Sequence, residues 1–111
     1  MPVRPVPVRL LQVRLLQGAV DDLKDIKSSD KNWLTTKKAI QAELMAISKN
    51  PLACAAPTEV QDIMATQFRQ GLTSYHRIIY EIVNEVIYVH IICHQRKDMM
   101  QILLRRVSNF N

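Results

Sequence analysis

Residues 75–98 read YHRIIYEIVNEVIYVHIICHQRKD, and this stretch decides the fold. It holds two runs rich in Ile, Val and Tyr, residue types that favour β-strands. The runs cover 75–83 and 86–94, so we predict a hairpin that turns at Asn84-Glu85. A two-residue turn also fixes the register. It pairs Val83 with Val86, Glu81 with Tyr88, Ile79 with His90, Arg77 with Ile92 and Tyr75 with His94.

Side chains alternate across a strand, so this register sorts the hairpin into two faces. The first, called the apolar face, carries His76, Ile78, Tyr80, Ile82, Ile87, Val89, Ile91 and Cys93. The second, called the ionisable face, carries Tyr75, Arg77, Glu81, Tyr88, His90 and His94 among Ile79, Val83, Val86 and Ile92. A one-residue slip would mix the two sets, so the pattern favours this parity. We expect helices to cover the apolar face and the ionisable face to stay open to a ligand.

The composition is typical of one globular domain. The chain has 111 residues, of which 48% are hydrophobic, and this is enough for a single core. Its formal charge of +5 favours an acidic or polyanionic partner. Cys54 and Cys93 belong to no CxxC motif, and no apolar run reaches the roughly 18–20 residues that a membrane span needs. We therefore expect a cytoplasmic protein with reduced thiols and no membrane contact.

Outside the hairpin, the pattern predicts a leader, three helices and two further strands. We expect residues 1–12, with three prolines and the first of two VRLLQ repeats, to form an extended leader, and residues 13–111 to form one domain. The second repeat would be a short strand that runs into a helix. Periodicity then predicts helices over 19–27, 32–48 and 97–107, a loop over 51–61 and an edge strand over 63–69. The predicted fold is α+β: a small antiparallel sheet with an N-terminal helical hairpin packed on one face, and a C-terminal helix.

The residue types of the ionisable face suit phosphodiester chemistry. Arginine can hold a phosphate and its developing charge, while His or Glu moves protons near neutral pH. The alternative is a solvated face with incidental cross-strand pairs such as Glu81–Tyr88. We predict no metal site, because His90 and His94 would lie roughly 13 Å apart at about 3.3 Å per residue, with Cys93 facing away. We expect no cofactor either, since 2 glycines cannot build a phosphate-binding loop.

Three segments resemble the RelE/ParE superfamily of bacterial toxins. Residues 75–82, YHRIIYEI, resemble its YRhhYxh strand, where h is hydrophobic. Residues 89–98, VHIICHQRKD, resemble the strand that follows and its HxRxD ending, and residues 18–26, GAVDDLKDI, are similar to the A..DL..I opening of the first helix. The predicted order of elements also fits the superfamily, over roughly residues 13–107.

The resemblance implies the toxin of a type II toxin–antitoxin module, neutralised by a small antitoxin that wraps over it. RelE-like members cut mRNA on the ribosome, whereas ParE-like members poison DNA gyrase without a comparable catalytic site. We take mRNA cleavage as the leading hypothesis and gyrase poisoning as the alternative, so whether the chain is an endoribonuclease stays open. A relative that has lost its toxicity is a third hypothesis. Such toxins work as monomers or homodimers.

The cleavage hypothesis assigns a role to each residue of the candidate site. Arg77 and Arg96 would stabilise phosphate charge, and His94 would be the general acid or base. The assisting and substrate-binding residues would be Glu81, His90, Tyr75, Tyr88 and Arg69. The hypothesis requires Arg77 and His94 to project from the same exposed side of the hairpin.

Overall fold

The structure, a computed structural model, describes residues 10–61 and 67–108. In these ranges the elements are β1 (Gln12–Leu15), α1 (Gln17–Ser29), α2 (Trp33–Lys49), α3 (Thr58–Gln61), β2 (Arg69–Leu72), β3 (His76–Val83), β4 (Val86–His94) and α4 (Met99–Ser108). The predicted order of strands and helices is confirmed, with the short α3 added in the segment that we predicted as a loop. Most of the predicted leader and residues 63–66 of the predicted edge strand lie outside the described ranges. The observed edge strand begins later than predicted, so the two overlap only at Arg69.

The described strands form one sheet in the order β1-β4-β3-β2. The β2–β3 and β3–β4 pairs are antiparallel, but β1 is parallel to β4. The sheet is therefore mixed rather than wholly antiparallel as predicted. A parallel neighbour needs a long connection, and the helices and strands between β1 and β4 supply it. The fold class remains α+β.

The hairpin turn is where the sequence predicts it. Asn84 has a φ of 51° and Glu85 a φ of 65°, so both central residues lie in the left-handed region. This is the pattern of a type I′ turn, whose twist matches that of the two strands. The predicted pairs next to the turn, Val83 with Val86 and Glu81 with Tyr88, are confirmed.

Beyond these pairs the predicted register is wrong, because β4 contains a β-bulge. Tyr80 lies opposite Val89 and Ile79 lies opposite Ile91, which leaves His90 as the extra residue. An extra residue reverses the alternation of every side chain that follows it. The observed pairs after the bulge are Ile78 with Ile92, Arg77 with Cys93 and His76 with His94.

As a result, the sheet buries side chains on both faces. On the α1–α2 face, Ala19, Ile40 and Ile47 of the two helices cover the hairpin residues Ile78, Tyr80, Ile87, Val89 and Ile92. On the α4 face, Phe68, Met99 and Leu103 cover Ile79, Ile91 and Cys93. The expectation that the second face is open is thus wrong. The bulge also corrects four placements, since Ile91 and Cys93 lie on the α4 face while Ile92 and His94 lie on the α1–α2 face.

Local chemistry explains the position of α2. The Asp30 carboxylate accepts hydrogen bonds from the Asn32 amide (2.7 Å) and the Thr36 hydroxyl (2.5 Å), and so ties the turn before α2 to the first turn of the helix. Its end coincides with Asn50-Pro51, as predicted. α2 lies close to β2 because Gly71 has no side chain: a Cβ there would be 2.8 Å from Ile47 Cδ1. In the part of the chain that is described, no helix is long and apolar enough to cross a bilayer.

Candidate functional site

Arg77 and His94, the two residues on which the cleavage hypothesis depends, lie on opposite faces of the sheet. Arg77 is directly opposite Cys93 on the α4 face, and His94 is directly opposite His76 on the α1–α2 face. The prediction that they share one face is wrong, because the bulge at His90 turns His94 to the other side. The predicted catalytic group is therefore divided by the sheet itself.

On the α4 face, partners within the chain hold the Arg77 side chain. Arg77 Nη1 is 2.6 Å from Glu59 Oε2 and 3.5 Å from Gln70 Oε1, while Nη2 lies 3.5 Å from the Gln95 carbonyl oxygen. Burial alone would raise the pKa of Glu59, but hydrogen bonds from its own amide and from Arg77, with the Arg77 charge, keep that pKa below its usual value. Glu59 is therefore ionised at neutral pH and neutralises the guanidinium.

Glu81 and His90 meet on the same face, as the sequence predicts. Glu81 Oε1 is 2.8 Å from His90 Nε2, and the rings of Phe68 and His90 meet edge to face with centroids 5.2 Å apart. His90 is only 5% exposed. Tyr88, directly opposite Glu81, is half-buried beside them. Glu81 and His90 therefore satisfy each other on the α4 face, where the imidazole packs against Phe68.

His94 lines an open cleft of about 840 Å³, between the α1–α2 turn and the loop before β3. His76 meets His94 edge to face with centroids 5.6 Å apart, and the exposed Tyr75 stacks beside it at 6.4 Å. The Arg96 amide donates to His94 Nδ1 at 3.1 Å, so a neutral His94 carries its proton on Nε2. Burial lowers the pKa of His76, the His94 imidazole lowers it further, and Asp30 opposes both. His76 is therefore neutral at neutral pH.

The remaining predicted residues do not complete a catalytic site around Arg77 or around His94. Arg69 lies opposite Tyr80 on the α1–α2 face and donates to the carbonyl oxygens of Cys54 and Leu52. Arg96 is exposed in the turn that follows β4. Tyr75 and Tyr88 lie on opposite faces, beside His94 and Glu81 respectively. The predicted substrate-binding set is divided in the same way as the catalytic set.

Sequence reasoning missed an ion pair that joins α1 to α4. Arg106 Nη1 and Nη2 donate to the two carboxylate oxygens of Asp22 at 2.7 and 2.6 Å. Asp22 also accepts from the Ile92 amide at 2.9 Å, and Arg106 donates to the His90 carbonyl oxygen at 2.7 Å. We call this group the Asp22–Arg106 clamp. Asp22 and Arg106 are 84 residues apart in the sequence, so no local sequence pattern predicts the clamp.

The clamp supplies hydrogen-bond partners to β4 beyond the point where β1 ends. Within the described residues, β1 pairs with β4 only as far as Leu15 opposite Val89. Backbone groups of β4 beyond that point would lack partners on this edge, and a buried unpaired amide or carbonyl is costly. The clamp satisfies two of them. Gly18 makes room for it, because a Cβ at that position would lie 3.2 Å from Arg106 Nε.

The described residues show no metal cluster. No three or more His, Cys, Asp or Glu side chains come together among them in a way that could hold a metal ion. Cys93 is buried, and burial raises the pKa of its thiol despite the nearby Arg77. As predicted, Cys93 fills core, although it does so on the α4 face.

Comparison with known proteins agrees with this architecture. The crystal structure of the toxin–antitoxin complex RelBE2 from Mycobacterium tuberculosis contains a chain with the same fold, at a TM-score of 0.59 and 14% identity. The match covers 79% of this chain and 94% of that one, and at this identity it shows the fold alone. No curated protein matches the chain by sequence. The family model described as the ParE toxin of the type II toxin–antitoxin system parDE matches residues 13–99, which is most of the chain. The chain therefore belongs to the ParE family of toxins of type II toxin–antitoxin systems.

Proposed function

We propose that this toxin, paired with a cognate antitoxin, arrests bacterial growth by binding DNA gyrase rather than by cutting mRNA. The ParE family model and the fold shared with a chain of a toxin–antitoxin complex support the toxin and its partner. The observation that carries the mechanism is the separation of Arg77 from His94. It removes the arrangement on which the cleavage hypothesis depended.

Phosphodiester cleavage needs a cation and a proton-transfer group at the same phosphate. A general acid or base must come within hydrogen-bond reach of the reacting atom, and misplacement by even 1 Å is costly. Arg77 and His94 project from opposite faces of a sheet. Glu81 and His90, the other proton carriers of the predicted catalytic set, bond to each other, and the His90 ring packs against Phe68. A toxin that acts through a binding surface needs none of these groups to be free.

Inducible expression in bacteria without the antitoxin tests the proposal. Transcript integrity and DNA double-strand breaks are followed in the same culture. We expect growth arrest, DNA damage with an SOS response, and full-length transcripts. Cut transcripts without DNA damage would overturn the proposal, and so would the absence of any growth arrest.

Variants at Arg77 and His94 sharpen the test. Arg77→Lys keeps a positive charge near Glu59 but loses the planar donor fork that suits phosphate. We expect Arg77→Lys combined with His94→Gln to remain toxic, with circular dichroism and a melting curve confirming that it folds. Tyr80→Phe serves as the control for a small change elsewhere in the sheet. Loss of toxicity in the folded double variant, with toxicity kept in the control, would support cleavage instead.

A further inference from the structure

The open cleft beside His94 has a buried imidazole in its wall. His76 lines the cleft and is only 7% exposed. Its ring meets that of His94 edge to face but makes no hydrogen bond within the described residues. No buried side-chain nitrogen or oxygen in those residues lacks a partner, so the ring nitrogens of His76 must open onto the cleft. A largely buried polar group in this position points to a ligand that hydrogen-bonds to it.

Asp30 supplies a negatively charged acceptor near this imidazole. Burial lowers the pKa of His76 and the Asp30 charge opposes that decrease, so the two groups lie close together. Hydrogen bonds from the Thr36 hydroxyl and the Asn32 amide lower the pKa of Asp30 itself, so its carboxylate is ionised at neutral pH. The two bonds go to different oxygens, and a carboxylate has about four acceptor sites. Each oxygen can therefore accept one further N–H group, which suits a ligand with two adjacent donors.

Tyr75 gives the cleft a platform for a planar ligand. Its ring is stacked with that of His94 at a centroid distance of 6.4 Å and an angle of 25° between the planes. Tyr75 is 67% exposed, so much of its ring surface remains free to stack on another ring. The half-buried side chains of Ile26 and Ile102 add apolar surface to the walls. These features suit a flat aromatic ligand better than a flexible chain.

Two lysines determine which kind of planar ligand fits. Lys31, in the α1–α2 turn, and Lys97, in the turn after β4, line the cleft from exposed positions. A guanidinium group would also bring adjacent N–H donors to Asp30, but both ammonium groups would repel it. A phosphate carried by the ligand would instead be attracted to them. The volume of about 840 Å³ is within the range of about 300–1,000 Å³ that is typical of small-molecule sites.

We propose that this cleft is a binding site for a free guanine nucleotide. Guanine presents a ring N–H and an amino group side by side on one edge, and the Asp30 carboxylate accepts both. The base stacks on Tyr75, His76 bonds to a further atom of the base, and the lysines hold the phosphate. Adenine has no such pair of donors on one edge, so the site should distinguish the two purines. The inference does not depend on the proposed binding of gyrase.

Titration calorimetry of the purified full-length toxin tests the inference, with GMP, AMP and inorganic phosphate as the probes. We expect saturable binding of GMP, and binding of AMP that is weaker by about 10-fold or more, because hydrogen bonds to a charged acceptor are lost. Inorganic phosphate should bind more weakly still, since it offers no ring to stack. GMP should also raise the melting temperature, because a ligand that binds the folded state stabilises it.

Substitutions in the cleft locate the binding. Tyr75→Leu removes the stacking platform and should weaken GMP binding by about 5- to 150-fold. Asp30→Asn replaces an acceptor with an amide and should weaken GMP binding more than AMP binding. Lys97→Gln should weaken binding and reduce its dependence on salt. The matched controls are Asp21→Asn on α1 and Lys38→Gln on α2, both exposed and outside the cleft, and these should stay within about 2-fold of the wild type.

Several outcomes would overturn the inference. One is the absence of both saturable heat and a rise in melting temperature at about 5 mM GMP. Others are equal affinity for GMP and AMP, and unchanged GMP binding in Tyr75→Leu and Asp30→Asn variants whose melting curves show that they fold. Binding of a single-stranded oligonucleotide without binding of free GMP would also overturn it. The exposed Tyr75 keeps the test decisive if Asp30→Asn fails to fold. The gyrase proposal is judged separately, by DNA damage in cells.

Discussion

Removal of the Asp22 carboxylate should weaken the fold more than the loss of any ordinary surface charge. Asp22→Ala deletes both bonds to Arg106 and leaves the Ile92 amide without its acceptor. The two side chains are 15% and 28% exposed, so the pair lies between a surface salt bridge and a fully buried one. Surface pairs contribute about 0–1 kcal/mol, whereas breaking a buried pair costs about 3–5 kcal/mol. We therefore expect a loss of about 2–3 kcal/mol in the free energy of unfolding.

Urea unfolding, followed through the fluorescence of Trp33, measures this loss. Trp33 is the one tryptophan of the chain and lies at the start of α2, so its signal reports on the layer that packs against the sheet. Asp22→Asn keeps an oxygen for the Ile92 amide but removes the charge, and should cost about half as much. A double-mutant cycle with Arg106→Ala isolates the pair itself, with an expected coupling of about 1–2 kcal/mol.

Asp25→Ala supplies the matched control on the same helix. Asp25 is exposed, and its removal should change the free energy of unfolding by at most about 0.5 kcal/mol. A loss below about 1 kcal/mol for Asp22→Ala would refute the reasoning. It would mean that solvent already screens the pair and that β4 needs no support on this edge.

Three further substitutions test the packing at Gly71, the hydrogen bond of Tyr80 and the protonation of His76. Gly71→Ala places a methyl group 2.8 Å from Ile47 Cδ1, so it should lower the free energy of unfolding by about 1–3 kcal/mol. Urea unfolding measures this loss. An unchanged midpoint would contradict the prediction, because it would mean that α2 moves away from β2 without cost. Tyr80→Phe removes the 2.7 Å hydrogen bond to the Pro51 carbonyl oxygen and should lower the free energy of unfolding by about 1 kcal/mol, measured in a thermal melt. An unchanged melting temperature would contradict this, because it would mean that water takes the place of the phenol hydroxyl. Burial lowers the pKa of His76 below the usual 6.5, so the unfolded chain takes up a proton at a higher pH than the native state does. Stability should therefore fall as the pH decreases through 6.5, and His76→Gln should remove part of that fall; an identical pH dependence in the variant would contradict the assignment.

The hairpin and the helices were predictable because their signals are local. β-branched runs on each side of Asn84-Glu85 specify two strands and a tight turn, and the buried stripe of Ile40 and Ile47 marks one face of α2. The contact between Glu81 and His90 was also within reach, since Glu81 and Tyr88 keep the register that the turn sets and the His90 side chain still points to that face.

The division of the candidate site was not predictable from alternation alone. A bulge adds one residue without any fixed residue type, so the pattern around His90 looks like continuous strand. One signal was present: Ile91, Ile92 and Cys93 are consecutive apolar residues, which is typical of a strand buried on both faces. The Asp22–Arg106 clamp joins residues 84 positions apart and depends on where β1 ends, so only the folded chain reveals it.

The extra residue at His90 has a consequence for the comparison of this toxin with its relatives. A relative with one residue fewer at this point would carry the same strand motifs, yet its final histidine would emerge beside the arginine of the preceding strand. Two proteins with the same strand motifs can therefore place the same histidine on opposite faces of the sheet. Alignments of the family should therefore be inspected for a single-residue gap here before any residue is assigned a shared role.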